Sequence, residues 1–274
     1  MAEDFLATVE IAAEEAGAHP DLFPRLRAGT IGAVVVRGVY AAEDCARIVA
    51  ALEAGPRDLV RTSFPEAFKA GFYGVNLNLL TADLDGYFSE AARFRGALAN
   101  LLPEGFDLER RLTKLFSSLD GGRPFGPPPG PRSGQRYMFT TIRDHRTGGY
   151  IPAHFDNEQA ARPGYHHLAT QIEPDLLSFV LAFSKPEGGG ALEIFDYRSR
   201  DHAGTFANDD RRRNKQDLDG VARLSFRLDP GSLILVKSGD YLHRVTPVEG
   251  PRTRWTACSF MASAKRGHAT FLWG

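Results

Sequence analysis

Cysteine is scarce in this chain. Cys45 and Cys258 are the two found in 274 residues, too few and too far apart for a disulfide scaffold or a cysteine-based zinc motif. Such usage fits a reducing cytoplasm. No run approaches the ~18 apolar residues of a membrane span. The opening Met-Ala-Glu-Asp has no basic segment leading into an apolar one, so neither export nor membrane insertion is expected. A charge excess is missing as well: 33 basic against 34 acidic residues give no bulk attraction to nucleic acid or anionic lipid. No internal repeat is visible, so partners must be argued from a site.

What is present divides into two textures. Residues 1–120 read as mostly helical, with helices expected over about 5–16, 41–54, 83–101 and 107–119 and one buried strand at 31–36. Residues 57–80 are mixed and rich in aromatics. Gly121–Gly134 holds five prolines and five glycines, which predicts a connecting loop. From Gln135 onward, short strands recur about every ten residues, the pattern of a double-sheet jelly roll or barrel. All-β folds of about 200–250 residues commonly form one domain. The expectation is therefore a single domain over 1–274: mainly β with flanking helices (α+β), its jelly-roll core at 135–274. The polar run Asp201–Asp219 lacks apolar periodicity and is expected to be a mobile loop.

Within the β-rich part, Ala153-His154-Phe155-Asp156-Asn157 stands out. Side chains at i and i+2 of a strand leave the same face, so His154 and Asp156 can present an imidazole and a carboxylate to one point. A second histidine from a neighbouring strand, His243 in Tyr241-Leu242-His243-Arg244-Val245, would complete two histidines and one carboxylate. That set, with open positions opposite, suits a non-heme Fe(II) oxygenase. Alone, a His-x-Asp tripeptide is more often an ordinary strand pair, and two histidines with a carboxylate also suit a zinc hydrolase or a non-catalytic metal-binding cupin.

The ordered set is more specific than its parts. His154-Phe155-Asp156, Gly189-Gly190-Ala191-Leu192-Glu193-Ile194, Asp229-Pro230-Gly231-Ser232-Leu233-Ile234-Leu235 and His243-Arg244-Val245-Thr246-Pro247-Val248, followed by Arg254, resemble the 2-oxoglutarate and Fe(II)-dependent oxygenases over the C-terminal half. The resemblance implies a double-stranded β-helix in which His154, Asp156 and His243 hold Fe(II), with 2-oxoglutarate and O2 as co-substrates. It implies hydroxylation of an unactivated C–H bond, with desaturation or ring closure as alternatives. A basic residue about ten positions past the second histidine would anchor the far carboxylate of 2-oxoglutarate. Arg252 and Arg254 compete for that role; Arg254 is favoured because Thr256 follows it in an Arg-x-Ser-like pattern, and a guanidinium fork beside a hydroxyl suits a carboxylate. A hydrolase has no need of such an anchor.

Halogenases of this family carry Gly or Ala in place of the carboxylate ligand, so Asp156 argues against chlorination. The size and the helical N-terminal half resemble members acting on small molecules, including free and N-substituted amino acids; peptide or carrier-bound substrates stay open. Tyr137, Thr141 and Arg143 alternate before the metal strand, with Tyr137 a candidate for the co-substrate and Arg143 for the substrate. Asn157 and Gln159 are placed to orient substrate or to cap the strand. The stretch Phe64–Asn78 is expected to cover the site, with Phe72 and Tyr73 against substrate. His145, His166, His167, His202 and His268 have no motif around them and read as surface or core residues, with the substrate pocket as the alternative for His166 or His167, which follow the metal strand closely.

Overall fold

In the computed structural model the described residues are 7–55, 59–64, 66–77, 84–103, 106–199, 218 and 220–274. The expected loop at 201–219 lies outside them except for Leu218. In chain order the first strands are β1 (Thr8–Ala12), β2 (Ala33–Arg37), β3 (Arg61–Ser63), β4 (Ala70–Tyr73), β5 (Phe125–Gly126), β6 (Thr141–His145), β7 (Ile151–His154) and β8 (Leu177–Ala182). They continue with β9 (Gly188–Gly189), β10 (Leu192–Arg198), β11 (Arg223–Phe226), β12 (Leu233–Val236), β13 (Tyr241–Val245), β14 (Val248–Glu249), β15 (Arg254–Ser263) and β16 (Thr270–Trp273). The helices are α1 (Leu22–Ala28), α2 (Ala42–Glu53), α3 (Asp85–Leu101), α4 (Leu108–Leu119) and the short α5 (His166–Ala169).

The strands form a ten-stranded sheet in the order β1-β2-β12-β8-β15-β6-β4-β3, with β16 and β5 branching from β15. A four-stranded sheet runs β11-β10-β13-β7, and β14 pairs with β9. Side-chain alternation explains how these layers stack. On β12, Leu233 and Leu235 join the main core with Ile48 of α2, Leu98 of α3 and Phe116 of α4. Their neighbours Ile234 and Val236 turn the other way, into a second cluster with Leu192, Ile194 and Tyr241 of the small sheet. The large sheet is thus covered on both faces, which is why Ala33–Val36 and Leu233–Val236 read as unbroken apolar runs.

Most expected strands and three helices are present within a few residues. The N-terminal helix is not. Thr8–Ala12 forms an edge strand parallel to β2, with Val9 opposite Val34 and Ile11 opposite Val36, before a 3-10 turn at Ala13–Ala18. Thr8, Val9 and Ile11 are β-branched, and over so short a window pairing with an existing sheet decides between helix and strand. Helix α1 was not expected. The mixed aromatic region contains β3 and β4, the latter held between β3 and β6, so Ala70–Tyr73 is sheet and not a cover over the site. The Pro/Gly connector is pinned by β5, which pairs with β16. Among the described residues no helix is long and apolar enough to cross a membrane.

One turn fixes how β12 enters the large sheet. Gly231, in Asp229-Pro230-Gly231-Ser232, has φ +81°, donates to the Ala182 carbonyl at 2.8 Å and accepts from the Tyr40 amide at 3.3 Å. A Cβ there would run into the Tyr40 backbone carbonyl. Gly231→Ala is therefore expected to destabilise the fold by at least ~2 kcal/mol, from positive-φ strain and a clash with main chain. Gly96, exposed in the interior of α3 with open space around it, should instead gain up to about 1 kcal/mol as Gly96→Ala. Urea unfolding of the two variants checks the contrast.

Candidate active site

The site begins with a strand register. On the small sheet His243 of β13 lies directly opposite His154 of β7, so their side chains share a face, and the ring centroids are 4.3 Å apart. Asp156 sits just past the end of β7, as the first residue of a 3-10 turn and not within the strand as expected. Its amide donates to the Ser238 carbonyl at 3.1 Å, and the turn brings its carboxylate to both rings. Oδ1 is 3.4 Å from His154 Nε2, and Oδ2 is 3.7 Å from His243 Nε2.

Both imidazoles are oriented in the same way. Nδ1 of His154 is 2.8 Å from the Pro152 carbonyl, and Nδ1 of His243 is 3.0 Å from the Tyr241 carbonyl. A carbonyl only accepts, so each Nδ1 keeps its hydrogen and each Nε2 faces Asp156, the usual way a histidine ligand is fixed by its other nitrogen. One potential ligand atom from each of the three residues falls within 4.8 Å of the others. Two imidazole nitrogens and a carboxylate oxygen are a donor set suited to Fe(II), so the residues fit the metal.

The electrostatics agree. Burial opposes ionisation of Asp156, but His243 and His154 outweigh it and hold the carboxyl at about 2. Burial, with the charge of His154 added, pushes His243 down to about 4. For His154 burial is overcome by the hydrogen bond and charge of Asp156, and its pKa is raised. Behind the carboxylate stands a short relay. Gln159 Nε2 donates to Asp156 Oδ1 at 3.3 Å, and the Tyr165 hydroxyl donates to Gln159 Oε1 at 2.9 Å. Gln159 thus steadies Asp156; the relay's far end, Tyr165, was not visible in the sequence.

The opposite wall comes from the large sheet. Arg254 opens β15 opposite His145 of β6, and Thr256 lies opposite Arg143. Residues directly opposite share a face, so all four look the same way, while Trp255 and Ala257 turn into the main core. Arg143, His145 and Arg254 line one cavity with His154, Asp156 and His243. It is narrow, about 50 Å³. A larger cavity of about 840 Å³ between α3, α4 and the Pro/Gly connector contains none of the metal-binding candidates.

The two competing arginines have different surroundings. Arg254 is 7% exposed and lines the cavity. Arg252 is exposed and donates to the Lys185 carbonyl at 3.4 Å. Burial, with the charge of Arg143 adding to it, lowers the Arg254 pKa from its ordinary value. Arg143 is half-buried, and its Nε donates to Thr141 Oγ1 at 3.2 Å. Neither Arg143 nor Arg254 has a carboxylate partner among the described residues.

Other expected contacts are placed elsewhere. Tyr137 is buried against Tyr87 and Phe88, with its hydroxyl 2.9 Å from His167 Nδ1, and does not line the cavity. Tyr73 turns to the helix side and stacks on Trp255. Phe72, opposite Arg143, shares the cavity face and packs on Phe64. Asn157 is exposed and donates to Ser199 Oγ at 3.2 Å.

A family model described as the carrier-protein-independent halogenase WelO5 matches residues 5–274. No curated protein matches the chain. Among solved structures it is similar to an N-substituted L-amino acid dioxygenase from Burkholderia ambifaria AMMD, with 16% identity over 94% of this chain and 91% of the other and a TM-score of 0.56. The same enzyme in complex with alpha-KG matches with a TM-score of 0.53, again at 16% identity, over 93% and 91% of the two chains. At that identity the likeness speaks for the fold. The match from residue 5 to the last residue decides the family: the chain belongs to the WelO5 family and is an Fe(II)- and 2-oxoglutarate-dependent oxygenase.

Proposed function

We propose that this oxygenase hydroxylates an unactivated C–H bond of a small molecule, an amino acid or an amino-acid-derived natural product. In this reading the chain is one domain, and its two facing sheets are the walls of a jelly roll. The observation that carries the reading is Asp156. A carboxylate stands where halogenases of this kind have Gly or Ala, and both of its oxygens face the histidine nitrogens. Chloride then has no vacated ligand position, although the family model's description names a halogenase.

His154, Asp156 and His243 would hold Fe(II). Bound Fe(II), with 2-oxoglutarate and O2, supplies oxidative decarboxylation to succinate and carbon dioxide coupled to oxygen insertion into the substrate. The chain's own residues position the reactants. Arg254 takes the distal carboxylate of 2-oxoglutarate through its planar fork, with the Thr256 hydroxyl beside it. Arg143, a cation without a carboxylate partner among the described residues, meets the carboxylate of an acidic substrate, and Phe72 gives that face an apolar wall. The large apolar sheet behind these groups keeps the site dry. The shared fold with an N-substituted L-amino acid dioxygenase supports an amino-acid-like substrate. Two buried free thiols, Cys45 and Cys258, support a cytoplasmic location.

The direct test is turnover with Fe(II), ascorbate, 2-oxoglutarate and a panel of free and N-substituted amino acids under 18O2. Succinate release that rises with one of them, and a product alcohol carrying 18O, are expected. A chlorinated product in the presence of chloride sinks the reading, and an alkene or ring without 18O shifts it to desaturation or cyclisation. Arg254→Ala should raise the KM for 2-oxoglutarate by about thirty-fold or more, as loss of a buried charge-paired contact does; Arg252→Ala should stay within about two-fold, as a rim change does. Gln159→Ala should weaken metal affinity by about 10–100-fold, the usual cost of losing an outer partner of a ligand, read by competition with a chelator.

A further inference from the structure

His145 is buried at 1% exposure, and neither ring nitrogen has a hydrogen-bond partner. It lines the same cavity as the metal-binding candidates, directly across the strand pair from Arg254. A doubly unsatisfied buried imidazole is costly to fold around, and native structures keep such groups where something else satisfies them. We propose that His145 donates a hydrogen bond to the distal carboxylate of 2-oxoglutarate, beside Arg254, and so helps the site select a dicarboxylate over a monocarboxylic 2-oxo acid.

Three observations carry this. The register puts the imidazole and the guanidinium on one face of adjacent strands, so one carboxylate can bridge them. Burial, with the charges of Arg254 and Arg143, keeps the His145 pKa well below the ordinary histidine value. The ring is therefore neutral and carries one N–H, a donor that adds no further cation to a wall already holding two arginines. Finally, no carboxylate of the described residues pairs with that wall, which leaves its two guanidiniums open to an anionic ligand. The inference rests on the reading of Arg254 as the co-substrate anchor.

The test compares 2-oxoglutarate with 2-oxopentanoate, which has the same chain length but no distal carboxylate, by calorimetric titration into the Mn(II)-loaded protein. His145→Phe keeps the ring's bulk and removes both nitrogens. It should weaken 2-oxoglutarate binding by about ten- to a hundred-fold, the range for a lost hydrogen bond to a charged group, and leave 2-oxopentanoate within about three-fold. Its melting temperature should equal or exceed that of the wild type, because unsatisfied polar atoms have been removed; a purely structural histidine would lower it. His145→Gln, which keeps an amide donor, should recover part of the lost affinity. If His145→Phe fails to fold, His145→Leu carries the same comparison. Unchanged affinity for both ligands overturns the proposal, and so does an equal loss for both, which would mean that His145 supports the cavity and not the carboxylate. A wild type that does not prefer 2-oxoglutarate shows instead that the Arg254 reading has failed.

Discussion

The arrangement depends on one strand register, His243 of β13 opposite His154 of β7. A slip of one residue would send one imidazole to the far face of the small sheet and separate the pair. On its other side β13 pairs with β10, where Ile194 lies opposite His243 and packs with Leu192 and Tyr241 in the layer between the sheets. Burial of that layer resists a slip, since any shift would drag apolar groups out of the core. The same device then repeats on both strands: each ring is tied through Nδ1 to the carbonyl two residues earlier, Pro152 or Tyr241. Strand geometry therefore aims both Nε2 atoms to the same side, toward Asp156.

The facing wall applies alternation to a different end. On β15 the outward residues Trp255 and Ala257 join the main core, while Arg254, Thr256 and Cys258 look inward. On β6 the inward residues are Thr141, Arg143 and His145. Two guanidiniums and an unsatisfied imidazole around one cavity of about 50 Å³ are costly to fold around, since buried charge and unmet hydrogen bonds both cost free energy. The surrounding sheet, apolar on both faces over Ala33–Val36 and Leu233–Val236, supplies the stability that tolerates them. Function is therefore concentrated where the alternation carries polar groups into a buried layer.

That rule also separates what was legible in the sequence from what was not. The metal-binding candidates and the strands carrying them could be read because their motifs are local. Arg252 and Arg254 looked equivalent by even spacing, but β15 begins at Arg254, so strand alternation does not extend back to Arg252. The same limit misplaced Tyr137: β6 begins at Thr141, and the tyrosine before it turns into an aromatic cluster. Had the alternation of Thr141 and Arg143 been carried two residues forward, it would have reached His145. Tyr73 could not be placed from its own segment, because which of Phe72 and Tyr73 faces the cavity is fixed by pairing with β6, more than sixty residues away in sequence. The N-terminal strand was hidden for a related reason, since β2 supplies its partner.

Asp156 is best understood with its surroundings. This carboxylate is built into the local fold. Gln159 donates to it, Tyr165 holds Gln159, and the Asp156 amide is fixed on Ser238. The side-chain relay has a use only if an acceptor stands at position 156; with Gly there, the Gln159 amide would face an empty position and need water to satisfy it. Gln159 lies three residues downstream on the turn that Asp156 itself opens, and Tyr165 nine residues downstream at the end of the next one. The Asp156 carboxylate and the segment that follows it therefore form one local unit, in which the turn opened by Asp156 carries the amide that steadies it.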